Sequence, residues 1–213
     1  MWLRHVRDQR PEICSAAVNQ HGYALEYVKE QTLEICLEAV KQHWCALQYV
    51  KEQTPEICLA AVKNNCWALQ NVKEQTPEIC LEAVKQNGYV LQFVKEQTPE
   101  ICIAAVQQRD YGHVLQFVKE QTSEICLEAV KHNGIALQYV KEQTFEICFE
   151  AVNQDGLALE YVKEQTEEIC FVALNNNIES EKFVKIPLNI SMDFLLEKID
   201  KVGHISQEIS ANF

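Results

Sequence analysis

The sequence predicts an all-α fold, an α-solenoid of eight short two-helix repeats with a 22-residue period, an N-terminal half-repeat and a C-terminal helical cap. Three observations predict it. The tripeptide Glu-Ile-Cys returns at Glu12, Glu34, Glu56, Glu78, Glu100, Glu124, Glu146 and Glu168, always 22 residues apart except for one step of 24 after Glu100. Within each unit the apolar residues recur at helical spacing. Six Gly and five Pro in 213 residues fall well below the roughly 12% that these two residues average, so turns are few and regularly placed.

The array reads from residue 1 as half a unit. Trp2, Leu3 and Val6 align with the Ala, Leu and Val of a second helix, so residues 1–10 read as an N-terminal half-repeat cap, 11–175 as the array, and 176–213 as a degenerate last repeat followed by a capping helix. The unit Thr76 to Gln97 shows how each repeat divides. Thr76 suits an N-cap, Pro77 the first helical position and Glu78 the positive end of the dipole, while Asn87-Gly88 reads as a helix stop. Between them Ile79, Cys80, Ala83 and Val84 share one face, with Glu78, Glu82, Lys85 and Gln86 opposite. In the second half Val90, Leu91 and Val94 share a face flanked by Phe93, which predicts a shorter helix of about two turns. An extended second half is the alternative, since Tyr-Val-Leu-Gln-Phe-Val also suits a strand. The recurring Ala-Leu-x-x-Val spacing, at Ala46, Leu47 and Val50 and at Ala136, Leu137 and Val140, favours the helix. The 24-residue step puts its two extra residues in the turn from Gln108 to Gly112. At the far end Ser180-Glu181 replaces the Ala-Leu pair, and Ser191 precedes Met192, Leu195, Leu196, Ile199 and Val202 at helical spacing, a capping helix that Gly203 ends.

Composition excludes several functions. A net charge of −12 repels phosphate backbones and anionic lipid, so neither a nucleic acid nor a membrane is an expected partner. The longest apolar runs, Ile101 to Val106 and Ile169 to Leu174, are far shorter than the roughly 20 residues that cross a bilayer. Charges at Arg4, Arg7, Asp8 and Arg10 interrupt any secretory signal. Ten Cys without such a signal imply a reducing, cytoplasmic setting, with thiols as the default and no secretion.

Eight of those Cys form a ladder, from Cys14 to Cys170, in one slot of the repeat. Stacked helices stand about 8–10 Å apart, too far for a disulfide, and zinc wants closely paired ligands. The ladder therefore reads as small core residues, and on that reading Cys80→Ser costs about 1–3 kcal/mol by burying an unpaired hydroxyl. Cys45 and Cys66 stand off the ladder in neighbouring units, where the spacing leaves a bridge open. His21 and His43 read as surface or turn residues about one helix spacing apart. No metalloprotease, phosphate-loop, dinucleotide or nucleophile-elbow motif occurs, and near-identical units offer no unequal constellation of groups. The expectation is a chain that is not an enzyme, with no catalytic, cofactor-binding or metal-ligating residues.

What varies within the constant frame marks a candidate surface. Just after the turn stand Tyr23, Cys45, Trp67, Tyr89, His113, Ile135 and Leu157, with Trp44 one residue earlier in its unit. Of these, Trp67 is the best anchor, because large aromatics dominate interface hot spots. A second column, including Leu37, Leu59, Leu81 and Phe149, lies at the edge of the first helix, as a partner groove or as packing between repeats. The aromatic column Tyr27, Tyr49, Phe93, Phe117, Tyr139, Tyr161 and Phe183 reads mainly as packing between second helices, with ligand stacking as the alternative. Lys29, Lys51, Lys73, Lys95, Lys119, Lys141 and Lys163, each followed by Glu, read as a solvated mixed-charge face.

The stretch AVKQNGYVLQFVKEQT at Ala83 to Thr98, with Ala-Val-Lys-x-Asn-Gly again at Ala129 to Gly134 and Ala-Leu-Gln-Tyr-Val at Ala136 to Val140, resembles a short α-helical repeat family of unknown function. That family is abundant in giant DNA viruses of amoebae and is found in protists. The resemblance covers residues 1–185 and implies a repeat architecture with no activity to carry over. The expected function is a non-catalytic scaffold for a protein or peptide partner, acting in the host cytoplasm if the chain is viral. A structural, self-assembling component of a virus particle or replication compartment, associating through its end repeats, is the alternative.

Overall fold

The computed structural model describes residues 2–6, 8–108 and 112–187. Eight α-helices alternate with short 3₁₀ helices, and no strand occurs among the described residues. The α-helices are α1 (Pro11–Gln20), α2 (Leu33–Gln42), α3 (Pro55–Asn64), α4 (Pro77–Gln86), α5 (Pro99–Val106), α6 (Ser123–His132), α7 (Phe145–Gln154) and α8 (Glu167–Asn176). The 3₁₀ helices are η1 (Trp2–His5), η2 (Gly22–Tyr27), η3 (Trp44–Tyr49), η4 (Cys66–Asn71), η5 (Gly88–Phe93), η6 (His113–Phe117), η7 (Gly134–Tyr139), η8 (Gly156–Tyr161) and η9 (Ile178–Phe183). Each α-helix packs on the next α-helix and each 3₁₀ helix on the next 3₁₀ helix, so the chain is a helical repeat solenoid of two columns. The capping helix expected from Ser191 lies outside the described residues.

The starts of the α-helices follow the sequence. Thr32, Thr54, Thr76, Thr98, Thr122, Thr144 and Thr166 each accept a hydrogen bond from the Ile N–H three residues on, at 3.3–3.4 Å. The ends use a different device from the expected glycine stop. Asn87 is extended, at φ −157°, and its Oδ1 accepts from the Tyr89 N–H at 2.9 Å, so one side chain closes α4 and opens η5. Asn65, Asn133, Asp155 and Asn177 do the same, and His43 does it through Nδ1.

The second helix of each unit is 3₁₀, tighter than the helix expected. Its backbone closes three-residue bonds, such as Ala24 N–H to His21 C=O at 2.8 Å and Val28 N–H to Leu25 C=O at 3.1 Å. Side chains three apart eclipse in this geometry, which sets Leu25 over Val28 in the core, both buried.

In four units glycine permits a close approach of the next unit. A Cβ on Gly22, Gly88, Gly134 or Gly156 would stand 2.6, 2.4, 2.3 or 2.4 Å from the carbonyl oxygen of Ala39, Ala105, Ala151 or Ala173 in the following α-helix. Trp44 and Cys66 hold the same slot in their units, so the carbonyls of Ala61 and Ala83 cannot approach as closely there.

A glutamine ladder stitches the units together. Gln75 Nε2 donates to the Leu69 carbonyl of its own unit and, at 2.9 Å, to the Phe93 carbonyl of the next, while its Oε1 accepts from the Lys95 N–H at 2.9 Å. Gln9, Gln31, Gln53, Gln97, Gln121, Gln143 and Gln165 repeat the pattern. The ladder thiols are buried and free, as are Cys45 and Cys66, with Cys45 the one that is only half-buried. Seven thiols also join the glutamines: Cys80 Sγ lies 3.7 Å from Gln75 Oε1, and the others lie at 3.5–3.8 Å. The shorter C–O bond of a serine at Cys80 would hold its oxygen at least this far from Gln75 Oε1, beyond hydrogen-bond range, so the cost of an unpaired hydroxyl stands as a prediction.

Candidate binding surface

The slot just after the turn projects from the start of each 3₁₀ helix and meets the aromatic column of the next unit. Tyr23 stands edge-on to Tyr49 with centroids 6.2 Å apart, Trp67 to Phe93 at 5.7 Å and Tyr89 to Phe117 at 6.0 Å. His113 tilts against Tyr139 at 5.3 Å and hydrogen-bonds its hydroxyl through Nδ1. The aromatic column itself is half-buried and packed on the core, the inter-unit role favoured from sequence. Trp67, Tyr89 and His113 are half-buried, while Tyr23 is 38% exposed and is the most open of this set.

One end of the column gathers a denser group. Trp44 stacks on His43 with centroids 6.1 Å apart, and Tyr23 tilts against the same imidazole at 4.6 Å, its hydroxyl 3.3 Å from His43 Nε2. Because His43 Nδ1 accepts from the Cys45 N–H, Nε2 carries the proton of the neutral ring and donates to Tyr23.

Leu37, Leu59, Leu81 and Phe149 stand on the α column, apart from the post-turn slot on the 3₁₀ column. The three leucines are half-buried against the core. Phe149 is half-buried and packs at 5.9 Å on Phe145, whose side chain is 50% exposed.

A third surface was not read from the sequence. Between successive Lys-Glu-Gln-Thr segments open clefts recur, of about 360 Å³ beside Leu33, 260 Å³ beside Pro77, 280 Å³ beside Pro99 and 260 Å³ beside Phe145. Each is lined by Lys, Glu and Thr side chains over a buried Cys and Ile. Leu33 and Phe145 take the proline position of their helices and leave large apolar side chains in the open at the rims. The signal was a large apolar residue at a slot held elsewhere by Pro11, Pro55, Pro77, Pro99, Ser123 and Glu167.

The lysine row and the glutamates that follow it are exposed, as expected of a solvated mixed-charge face, and the lysines make a further contact that the sequence did not show. Lys51, Lys73, Lys95, Lys119, Lys141 and Lys163 each donate from Nζ to the backbone carbonyl of the lysine one unit earlier. Among the described residues the ion pairs are Arg10 with Asp8 and His132 with Glu128. Glu128 also accepts from Gln107 at 2.7 Å, and this bond, with His132 adding to it, holds its carboxyl below the usual range.

The thiols are chemically quiet. Burial pushes the Cys36, Cys58, Cys80, Cys102, Cys126, Cys148 and Cys170 thiols up, only partly offset by a neighbouring lysine at Cys36, Cys58, Cys102, Cys126 and Cys148. A protonated, covered thiol is a poor nucleophile and a poor metal ligand. Among the described residues no group of three or more His, Cys, Asp or Glu is placed to hold a metal, and no helix is long and apolar enough to cross a membrane.

No curated protein matches the chain, and no solved structure matches it. A family model matches five times, over residues 10–54, 32–75, 54–98, 76–122 and 122–166. Each match spans two units and successive matches overlap, as expected of a motif that needs its neighbour to bury a core. With residues 10 to 166 matched in this way, the chain belongs to the family described as Domain of unknown function (DUF4116).

Proposed function

We propose that the chain is a non-catalytic scaffold whose rigid repeat frame presents the variable, exposed side chains to a protein or peptide partner. The observation that carries this reading is the confinement of variation. Gln, Thr, Ile and Cys of the frame hold the units together, while Tyr23, Leu33 and Phe145 change the surface without touching the ladder. Recognition residues on an invariant frame are what an extended binding surface requires. Trp44, Trp67, Tyr89 and His113 contribute as a half-buried aromatic platform, and Leu37, Leu59, Leu81 and Phe149 as a lesser patch on the other column. The proposed setting is a reducing compartment, the cytoplasm of the host cell if the chain is viral.

Affinity purification from the native cell, beside light scattering of the purified chain, tests this. A stoichiometric partner on a monomeric bait, lost on Tyr23→Ala and Leu33→Ala, is the expected result. Self-association with no partner contradicts it and favours the self-assembling alternative.

A further inference from the structure

In the interior of the array each unit is covered by the next. Val152 of α7, Gly156 of η8 and Val162 after it are all buried. Their counterparts one unit later are Leu174, Ile178 and Val184, and these are open: Leu174 and Val184 are half-buried, and Ile178 is 70% exposed. The unit has become polar elsewhere, with Glu179 and Glu181 exposed, yet it keeps these three apolar side chains on the face that a further unit would cover. A terminus built only to meet water has no physical reason to carry an isoleucine in the open at a slot that the next unit covers in the interior.

The ladder also stops here. One period after Gln165 stands Pro187, which has neither the amide side chain nor a backbone N–H to donate. A further unit, from this chain or another, could not be stitched on as the interior units are.

We propose that residues 188–213 cover this end face, and that they do so in place of a second copy of the chain. The chain leaves the described structure at Pro187, directly beside the face, so its next 26 residues act at high effective concentration. Met192, Leu195, Leu196, Ile199 and Val202 recur at helical spacing, and a helix over 191–202 would be about 18 Å long, enough to span α8. Lys198 flanks that apolar set and is opposite in charge to Glu181. This inference is independent of the scaffold reading.

Hydrogen exchange on the full chain, with and without Leu195→Asp and Leu196→Asp, is the test. The amides of Ile178–Lys185 are expected to exchange at least about ten-fold faster in the double variant, while those of Gly88–Phe93 keep their protection and so report that the array remains folded. Unchanged exchange at Ile178–Lys185 overturns the proposal. A full-length chain that is dimeric, and that Leu174→Asp makes monomeric, also overturns it by assigning the face to a second copy.

Discussion

Gln75 shows how one residue type organises the molecule. Its amide satisfies two carbonyls and one N–H across a junction, groups that would otherwise be unpaired beside the core. Gln75→Ala removes all three bonds and is expected to lower stability by about 2–4 kcal/mol, read as a denaturant midpoint. Gln75→Glu keeps the acceptor for Lys95 but turns a carboxylate oxygen toward the carbonyls. It should therefore be as damaging at neutral pH and recover as acid protonates the new carboxyl, which a simple loss of packing would not do. Cys80→Ser is expected to cost about 1–3 kcal/mol, because the shorter C–O bond leaves the buried hydroxyl out of hydrogen-bond range of Gln75 Oε1. The thiols also set a pH dependence. Their folded-state values are raised by burial, so above about pH 8.5 the unfolded chain loses protons that the folded chain keeps. Stability is fully present below that pH and falls as pH rises through it. Replacing Cys36, Cys80 and Cys148 by Ala should flatten the alkaline decline in an unfolding titration. The role of the glutamines could have been seen in sequence as an unbroken Gln column, but a polar residue repeated eight times reads equally well as surface until its partners, fixed by the next unit's backbone, are placed.

At the scale of the element, the α-helices were legible because their signals are local. Threonine caps, first-turn prolines and a four-residue apolar face all lie within ten residues. The second helices were legible in position and not in type. Their apolar residues stand three apart, Leu91 with Val94 and Val90 with Phe93, a spacing that one short turn of either helix accommodates. The glycine slot does not select the type, since η3, η4 and η9 open on Trp44, Cys66 and Ile178 and are 3₁₀ all the same. What the slot sets is how closely the next unit packs, and Gly134→Ala tests that. The added Cβ meets the Ala151 carbonyl at 2.3 Å, so α7 must move off, and a loss of about 1–3 kcal/mol is expected. A midpoint within error of the parent would show that the close approach is dispensable.

For the whole molecule, cohesion lies between neighbours. Each unit contributes an amide rung, a lysine rung and an apolar face to the unit beside it, and the fold is the sum of these junctions. The sequence disclosed this architecture through its period. It disclosed the candidate surface less well, because Trp67 and Tyr89 look like free anchors in the chain yet lie half-buried on Phe93 and Phe117 of the next unit, whereas Leu33 and Phe145 stand exposed where only a large apolar residue at a slot held elsewhere by Pro, Ser or Glu hinted at them. The central claim is that the array is a chain of locally stitched junctions, and site-resolved hydrogen exchange on Gln75→Ala tests it most directly. The account predicts that protection falls around Leu69, Phe93 and Lys95, at the junction that Gln75 spans, and holds near Gln143 and Tyr161. Loss of protection spread evenly along the chain, or none at the Gln75 junction, would contradict it.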